Sequence, residues 1–208
     1  MPSTTSARQF EHLELLREGP VTRVAMNRPA VHNAFNERVI EDLDAAFLCV
    51  QDDPTCRVVV LEGRGRSFCA GADLAWMRSM ADYSDAENVR GARDLAGLFR
   101  RIDGCRVPVI GRIQGAAIGG GAGLVACCDI PIAAARAKFG FSEVRLGLAP
   151  AVISPFVMAK IGRGAARELF VTGSRFDAAR ALQIGLVNHV VADDAALDAA
   201  VDEAIASV

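Results

Sequence analysis

Ser67-Phe68-Cys69-Ala70-Gly71-Ala72-Asp73-Leu74 begins six residues after the apolar stretch Arg57-Val58-Val59-Val60-Leu61. Some fifty positions later, Ile118-Gly119-Gly120-Gly121-Ala122-Gly123 runs into another apolar stretch. Each reads as a turn of small residues opening a helix, the first of them after a buried strand. The first N–H groups of a helix have no intrahelical partner, and the positive end of its dipole points the same way. Two such starts converging on one point would hold an oxyanion.

The same alternation extends in both directions. Residues 10–17 and 21–26 are short β-type runs around Glu18-Gly19-Pro20, the pattern of a hairpin. Asn36 is placed to cap a helix in which Val39, Ile40, Leu43, Phe47 and Val50 recur at helical spacing until Asp52-Asp53-Pro54 stops it. The strand at 57–61 and another at 107–113 are apolar enough for burial on both faces. Between them Val89, Leu95, Leu98, Phe99 and Ile102 predict a long helix with one apolar face, interrupted by Gly91 and Gly97. A strand over 129–135, paired helices over 155–161 and 165–171, a helix over 177–184, a strand over 186–191 and a helix over 194–205 follow. No linker-like break or repeat divides the chain, so residues 1–208 are expected to form one α/β domain.

With 51% hydrophobic residues over 208 positions, the chain can bury a large core. No apolar run approaches the roughly 20 residues of a membrane span, and Met1-Pro2-Ser3-Thr4-Thr5-Ser6-Ala7-Arg8 has no apolar segment of secretory-signal length. A cytoplasmic protein without a membrane partner is expected. Cys49, Cys56, Cys69, Cys105, Cys127 and Cys128 show neither CxxC spacing nor partners among His12, His32 and His189. Reduced, mostly buried thiols are therefore expected, with no metal site. The net charge of -2, with acids and bases interspersed, gives no footprint for nucleic acid. Arg100-Arg101 reads as a solvated helix face.

Taken in order, Asn27-Arg28-Pro29, Asn33-Ala34-Phe35-Asn36, Phe68-Cys69-Ala70-Gly71-Ala72-Asp73-Leu74, Gly115-Ala116-Ala117-Ile118-Gly119-Gly120-Gly121 and Cys128-Asp129-Ile130 closely resemble the crotonase family, also called enoyl-CoA hydratase/isomerase. Phe139-Gly140-Phe141-Ser142-Glu143-Val144-Arg145-Leu146-Gly147 and Leu186-Val187 extend the resemblance over nearly the whole chain. Each motif alone is weak, because a glycine turn before a helix serves packing as often as chemistry. Their ordered succession is specific.

The resemblance implies an α/β fold, a crotonase-like spiral of ββα units whose sheet surface carries an acyl-CoA site. CoA is then part of the substrate, and no separate cofactor is implied. An enolate would be held by the peptide N–H groups of Ala72 and Gly120. The CoA moiety would lie along Ala70, Asp73 and Leu74 and near Val31, with Arg28 either at a phosphate or an exposed turn residue. Family members usually continue beyond the position of Val208 with helices that cover the site and build trimers, so a homotrimer or dimer of trimers is expected where that tail is present.

The family's hydratases typically carry two glutamates, and the matching positions here are Gly123 and Glu143. Glu143 is left as the one candidate general acid/base. It is expected among Phe139, Phe141, Val144, Leu146 and Leu148, where desolvation would raise its pKa. Arg145 reads as a partner for Glu143, a contact for an acidic substrate group, or a surface residue. Cys69, Trp76, Met77 and Phe156 are candidates for the acyl pocket, although a Trp-Met pair reads first as ordinary core. Where many relatives have glycines after Pro150, this chain has Ala151-Val152-Ile153-Ser154-Pro155. That departure, with Gly123, is similar to a bacterial subgroup assigned to branched enoyl-CoA hydration, such as methylglutaconyl-CoA in leucine breakdown. Three functions follow: hydration of a 2-enoyl-CoA, Δ3,Δ2-enoyl-CoA isomerisation by one base, and a catalytically silent binding protein.

Overall fold

The computed structural model describes residues 10–208; the first eight residues, read above as lacking a signal, lie outside that range. β1 (Leu13–Glu18) and β2 (Val21–Met26) form the expected antiparallel hairpin, with Glu18 opposite Val21. α1 (Glu37–Asp52) starts where Asn36 accepts the Val39 N–H at 2.9 Å. It buries Val39, Ile40, Leu43, Phe47 and Val50, the stripe that the spacing predicts. β3 (Val58–Gly63), α2 (Leu74–Ser79), α3 (Asp85–Asp103), β4 (Val109–Ile113), β5 (Ala116–Ile118) and α4 (Gly120–Cys127) follow. The chain continues through β6 (Ile130–Ala134), β7 (Lys138–Gly140), α5 (Ser154–Thr172), β8 (Arg175–Asp177), α6 (Ala178–Gln183), β9 (His189–Val191) and α7 (Asp194–Ala206).

Among the described residues the strands make a six-stranded sheet, ordered β1-β2-β3-β4-β6-β9, and a three-stranded one, β5-β7-β8. From β2 to β9 the larger sheet is parallel. Parallel pairing needs crossovers that cover both faces, and β3 is accordingly buried at every residue. Val59 and Leu61 face the main core with Leu43, Phe47, Phe99 and Leu124. Val58 and Val60 turn to the other face, where Ile110 and Ile132 meet Leu197 and Val201 of α7. In the small sheet Phe139 stacks on Phe176 with centroids 5.7 Å apart, and Phe141 meets Phe170 edge-on at 5.2 Å. These contacts fix the chain just before Glu143.

The expected elements differ from the structure in four places. Val89 is exposed, so the apolar face of α3 is confined to its C-terminal half, where Leu98, Phe99 and Ile102 are buried. The strand expected over 186–191 shrinks to β9 because the Leu186 N–H donates to Ala181 O at 2.9 Å and closes the end of α6 instead of joining a ladder. The paired helices over 155–161 and 165–171 are two segments of α5 around a kink at Gly162, which takes φ 74° and ψ 161°. The small sheet was not expected; strands of three residues are too short to show alternation.

Candidate active site

The two small-residue turns are held in register by backbone alone. Cys69 bridges Ala117 in parallel: the Cys69 N–H donates to Ala116 O at 2.9 Å, and the Ile118 N–H donates to Cys69 O at 3.0 Å. Ala72 and Gly120 each stand three positions past this bridged pair. Close approach of the turns needs glycine at 121, because a Cβ there would collide with the Cys69 carbonyl oxygen.

Phe35 ties both turns together. Its N–H donates to Gly71 O at 2.7 Å, and its carbonyl accepts the Asp73 N–H at 2.7 Å, so its backbone brackets Ala72 on either side. Its ring packs on the other turn, where a Cβ on Gly120 would come within 2.8 Å of Cε2. Among the hydrogen bonds of the described residues, neither the Ala72 nor the Gly120 N–H has an acceptor. The sequence reading gave Phe35 no role; its place just before the Asn36 cap, within a quoted motif, was the available signal.

Glu143 opens a short 3-10 turn after β7. Its Oε1 lies 3.3 Å from where a Cβ on Gly119 would stand, and Gly119 takes φ 53° and ψ -120°, a conformation open to glycine. Its Oε2 is buried without a hydrogen-bond partner. Burial pushes the carboxyl above the ordinary range, against a smaller lowering by its own backbone N–H. The expected surroundings are met in part. Leu146 and Leu148, although exposed, line the same cavity as Glu143, Val144 is exposed and does not line it, and Phe139 and Phe141 are buried while the carboxyl sits against the Gly119 turn.

Phe35, Ala70, Ala72, Gly120 and Glu143 share the wall of a cavity of about 360 Å³, which Met77, Leu95 and Val152 among others also line. A larger cavity of about 690 Å³ between α1 and α3 is lined mainly by charged side chains such as Glu41, Asp44 and Arg101. It contains neither small-residue turn nor Glu143 and shares only Trp76 and Gly91 with the first, so the smaller cavity is the one equipped for chemistry.

At position 123, which the family resemblance matches to a second glutamate, the surrounding space is filled. A Cβ on Gly123 would stand 2.6 Å from Ile153 Cγ2 and 2.9 Å from Phe99 Cε1. The two departures noted in the sequence, at Gly123 and after Pro150, are therefore one packing arrangement. Ile153 and the Phe99 ring occupy the space that a longer residue at 123 would need.

Of the remaining expected residues, Leu74 lines the cavity and is exposed, whereas Val31 is exposed on a separate 3-10 turn and is not part of the wall. Asp73 lies behind the wall as the N-cap of α2, with its N–H already paired to Phe35. Arg28 is not an exposed turn residue: its guanidinium donates to Ala34 O at 2.6 Å and to Asp73 Oδ2 at 3.1 Å. Trp76 and Met77 line the cavity, but Cys69 and Phe156 do not; Cys69 is fully buried, and Phe156 packs on Phe99 at 5.8 Å. Arg145 donates to Gly173 O at 2.8 Å. All six cysteines are free thiols, four of them buried. Among the described residues no cluster of three or more His, Cys, Asp or Glu side chains could hold a metal ion, and no helix is long and apolar enough to cross a membrane.

Comparison with known proteins shows the family. The sequence profile described as enoyl-CoA hydratase/isomerase matches residues 17–206. A crotonyl-CoA hydratase of Syntrophomonas wolfei is 36% identical over 188 residues, covering 88% of this chain and 70% of the relative. A short-chain-enoyl-CoA hydratase of Clostridium acetobutylicum is 35% identical over 186 residues, with shares of 88% and 70%. The crystal structure of an enoyl-CoA hydratase from Shewanella pealeana superposes with a TM-score of 0.92 at 39% identity, covering 96% of this chain and 74% of that one. Sequence and architecture thus agree: the chain has the crotonase-like α/β fold and belongs to the enoyl-CoA hydratase/isomerase family.

Proposed function

We propose that this chain hydrates a 2-enoyl-CoA thioester to the 3-hydroxyacyl-CoA, with Glu143 as the single acid/base and the Ala72 and Gly120 N–H groups as the oxyanion donors. The reading rests on one observation: a half-buried carboxylate with one unpartnered oxygen shares a cavity wall with two N–H groups that have no acceptor. Glu143 takes a proton from water as the water oxygen bonds to C3. The electron pair of the C2–C3 double bond moves toward the thioester, and the carbonyl oxygen becomes an enolate held by the two N–H groups. Glu143 then returns the proton to C2 on the same face, so one carboxylate serves both transfers. Its raised pKa suits that double duty, since an acid/base works best near the operating pH. Removing one oxyanion donor would cost about 3 kcal/mol of barrier.

Loss of enoyl-thioester absorbance with crotonyl-CoA and methylglutaconyl-CoA, compared with Glu143→Gln, tests this. Hydration that falls on the order of 10²–10⁴-fold in the variant is expected; full turnover by Glu143→Gln refutes the assignment. The filled space at Gly123 supports a second reading, Δ3,Δ2 isomerisation, in which one base carries a proton from C2 to C4 and no second carboxylate holds water. Conversion of a 3-enoyl-CoA in ¹⁸O-water without incorporation of the label would favour it.

A further inference from the structure

We infer that Arg28 is a positioning residue for the Ala72 donor, acting through Asp73 and Ala34 rather than on the substrate. The inference rests on the donor role proposed for Ala72.

The Arg28 guanidinium reaches two acceptors on opposite sides of the bracket around Ala72. Nη1 donates to Ala34 O at 2.6 Å, next to Phe35, and Nη2 donates to Asp73 Oδ2 at 3.1 Å, next to Ala72 and 45 residues away in sequence. Both side chains of the pair are largely shielded from solvent. The other Asp73 oxygen, Oδ1, accepts the Ala75 N–H at 2.9 Å as the cap of α2. The residue after Ala72 is therefore held at its N–H by Phe35, at one oxygen by α2 and at the other by Arg28.

Arg28 is itself anchored. Its backbone N–H donates to Asn33 Oδ1 at 2.8 Å, and the Asn33 amide donates to Ser67 O at 2.8 Å and Phe68 O at 3.1 Å. The chain on both sides of the donor turn is thus referred to one planar fork. A lysine would supply the charge but could not match two acceptors in fixed geometry. Burial opposes the Asp73 charge, yet the Ala75 N–H and the guanidinium outweigh it and hold the carboxyl below the ordinary range.

Displacing a catalytic group by about 1 Å can cost on the order of 100-fold. Arg28→Met is expected to lower kcat for crotonyl-CoA by roughly 10- to 100-fold with KM within about threefold, and Arg28→Lys to recover part of it. A readout independent of turnover is the near-ultraviolet enolate absorbance of acetoacetyl-CoA bound at fixed pH, which reports stabilisation of the enolate oxygen. That absorbance is expected in the unsubstituted chain, to be diminished in Arg28→Met, and to be retained in Glu143→Gln. Asp73→Asn keeps a good N-cap while removing the ion pair, so it should show the same loss and carries the test alone if Arg28→Met does not fold. Unchanged kcat and absorbance in the folded variants overturn the inference. So does a loss confined to KM, the signature of a phosphate contact. Absence of the enolate signal in the unsubstituted chain overturns the donor reading itself, and this inference with it.

Discussion

Gly123→Ala tests whether Ile153 and Phe99 fill the space beside position 123. The added Cβ would lie 2.6 Å from Ile153 Cγ2, 3.0 Å from Ile153 Cβ and 2.9 Å from Phe99 Cε1. None of these atoms is the far end of a flexible chain, so the neighbours must shift; overpacking of this kind costs about 1–3 kcal/mol. Alanine recovers about 0.5–1 kcal/mol of helix propensity inside α4, which leaves a net loss of roughly 0–2.5 kcal/mol. Ile153→Ala alone, at a position 3% exposed, should cost about 2–5 kcal/mol. In the double variant the new methyl enters the space vacated by the isoleucine, so the combined loss should fall short of the sum by about 1–2 kcal/mol. Urea titrations of the four proteins, followed by circular dichroism, measure this coupling. Additivity within about 0.5 kcal/mol would refute a shared space.

Glu143→Gln should change stability in a pH-dependent way. The folded chain binds the Glu143 proton more tightly than the unfolded chain does, so the carboxylate opposes folding increasingly as pH rises from the ordinary carboxylate range through its raised pKa. The variant should match the parent near pH 4 and melt at a higher temperature near pH 8; equal midpoints at both would count against a desolvated carboxyl. Iodoacetamide at about pH 8 should label Cys49 first, since reactivity follows exposure and thiolate character. Cys69 and Cys128, pushed up to about 12 by burial, should stay unlabelled until the chain unfolds, as peptide mass spectrometry would show.

The helix from Asn36 and the two-faced burial of β3 were legible because each depends on a period carried by the sequence itself. The kink of α5 showed as a break between two apolar stripes at Gly162. The two glycine turns were legible as helix starts, but their registration was not, because it runs through the backbone of Cys69 and Ala117 and any side chain there would leave the same bond. The contacts of Arg28 were hidden for a related reason: a turn arginine shows its charge, whereas its acceptors at Ala34 and Asp73 become neighbours only when the chain folds back. Ile153 stood out as a departure without a stated cause, since its contact with position 123 exists only across the packing of α5 on α4. Val144 misled in the opposite direction, because an apolar residue in a short turn is not thereby buried.

The bracket around Ala72 has a practical consequence for judging preparations of this protein. The hairpin and the helices form from sequence neighbours and regain their spectroscopic signal as soon as local structure returns. The placing of Ala72 beside Gly120 depends on Phe35, Cys69, Asp73 and Ala117 meeting after long loops have closed. Enoyl-thioester turnover is therefore a stricter gauge of the native state than far-ultraviolet ellipticity, and material with a full helical signal can still be inert.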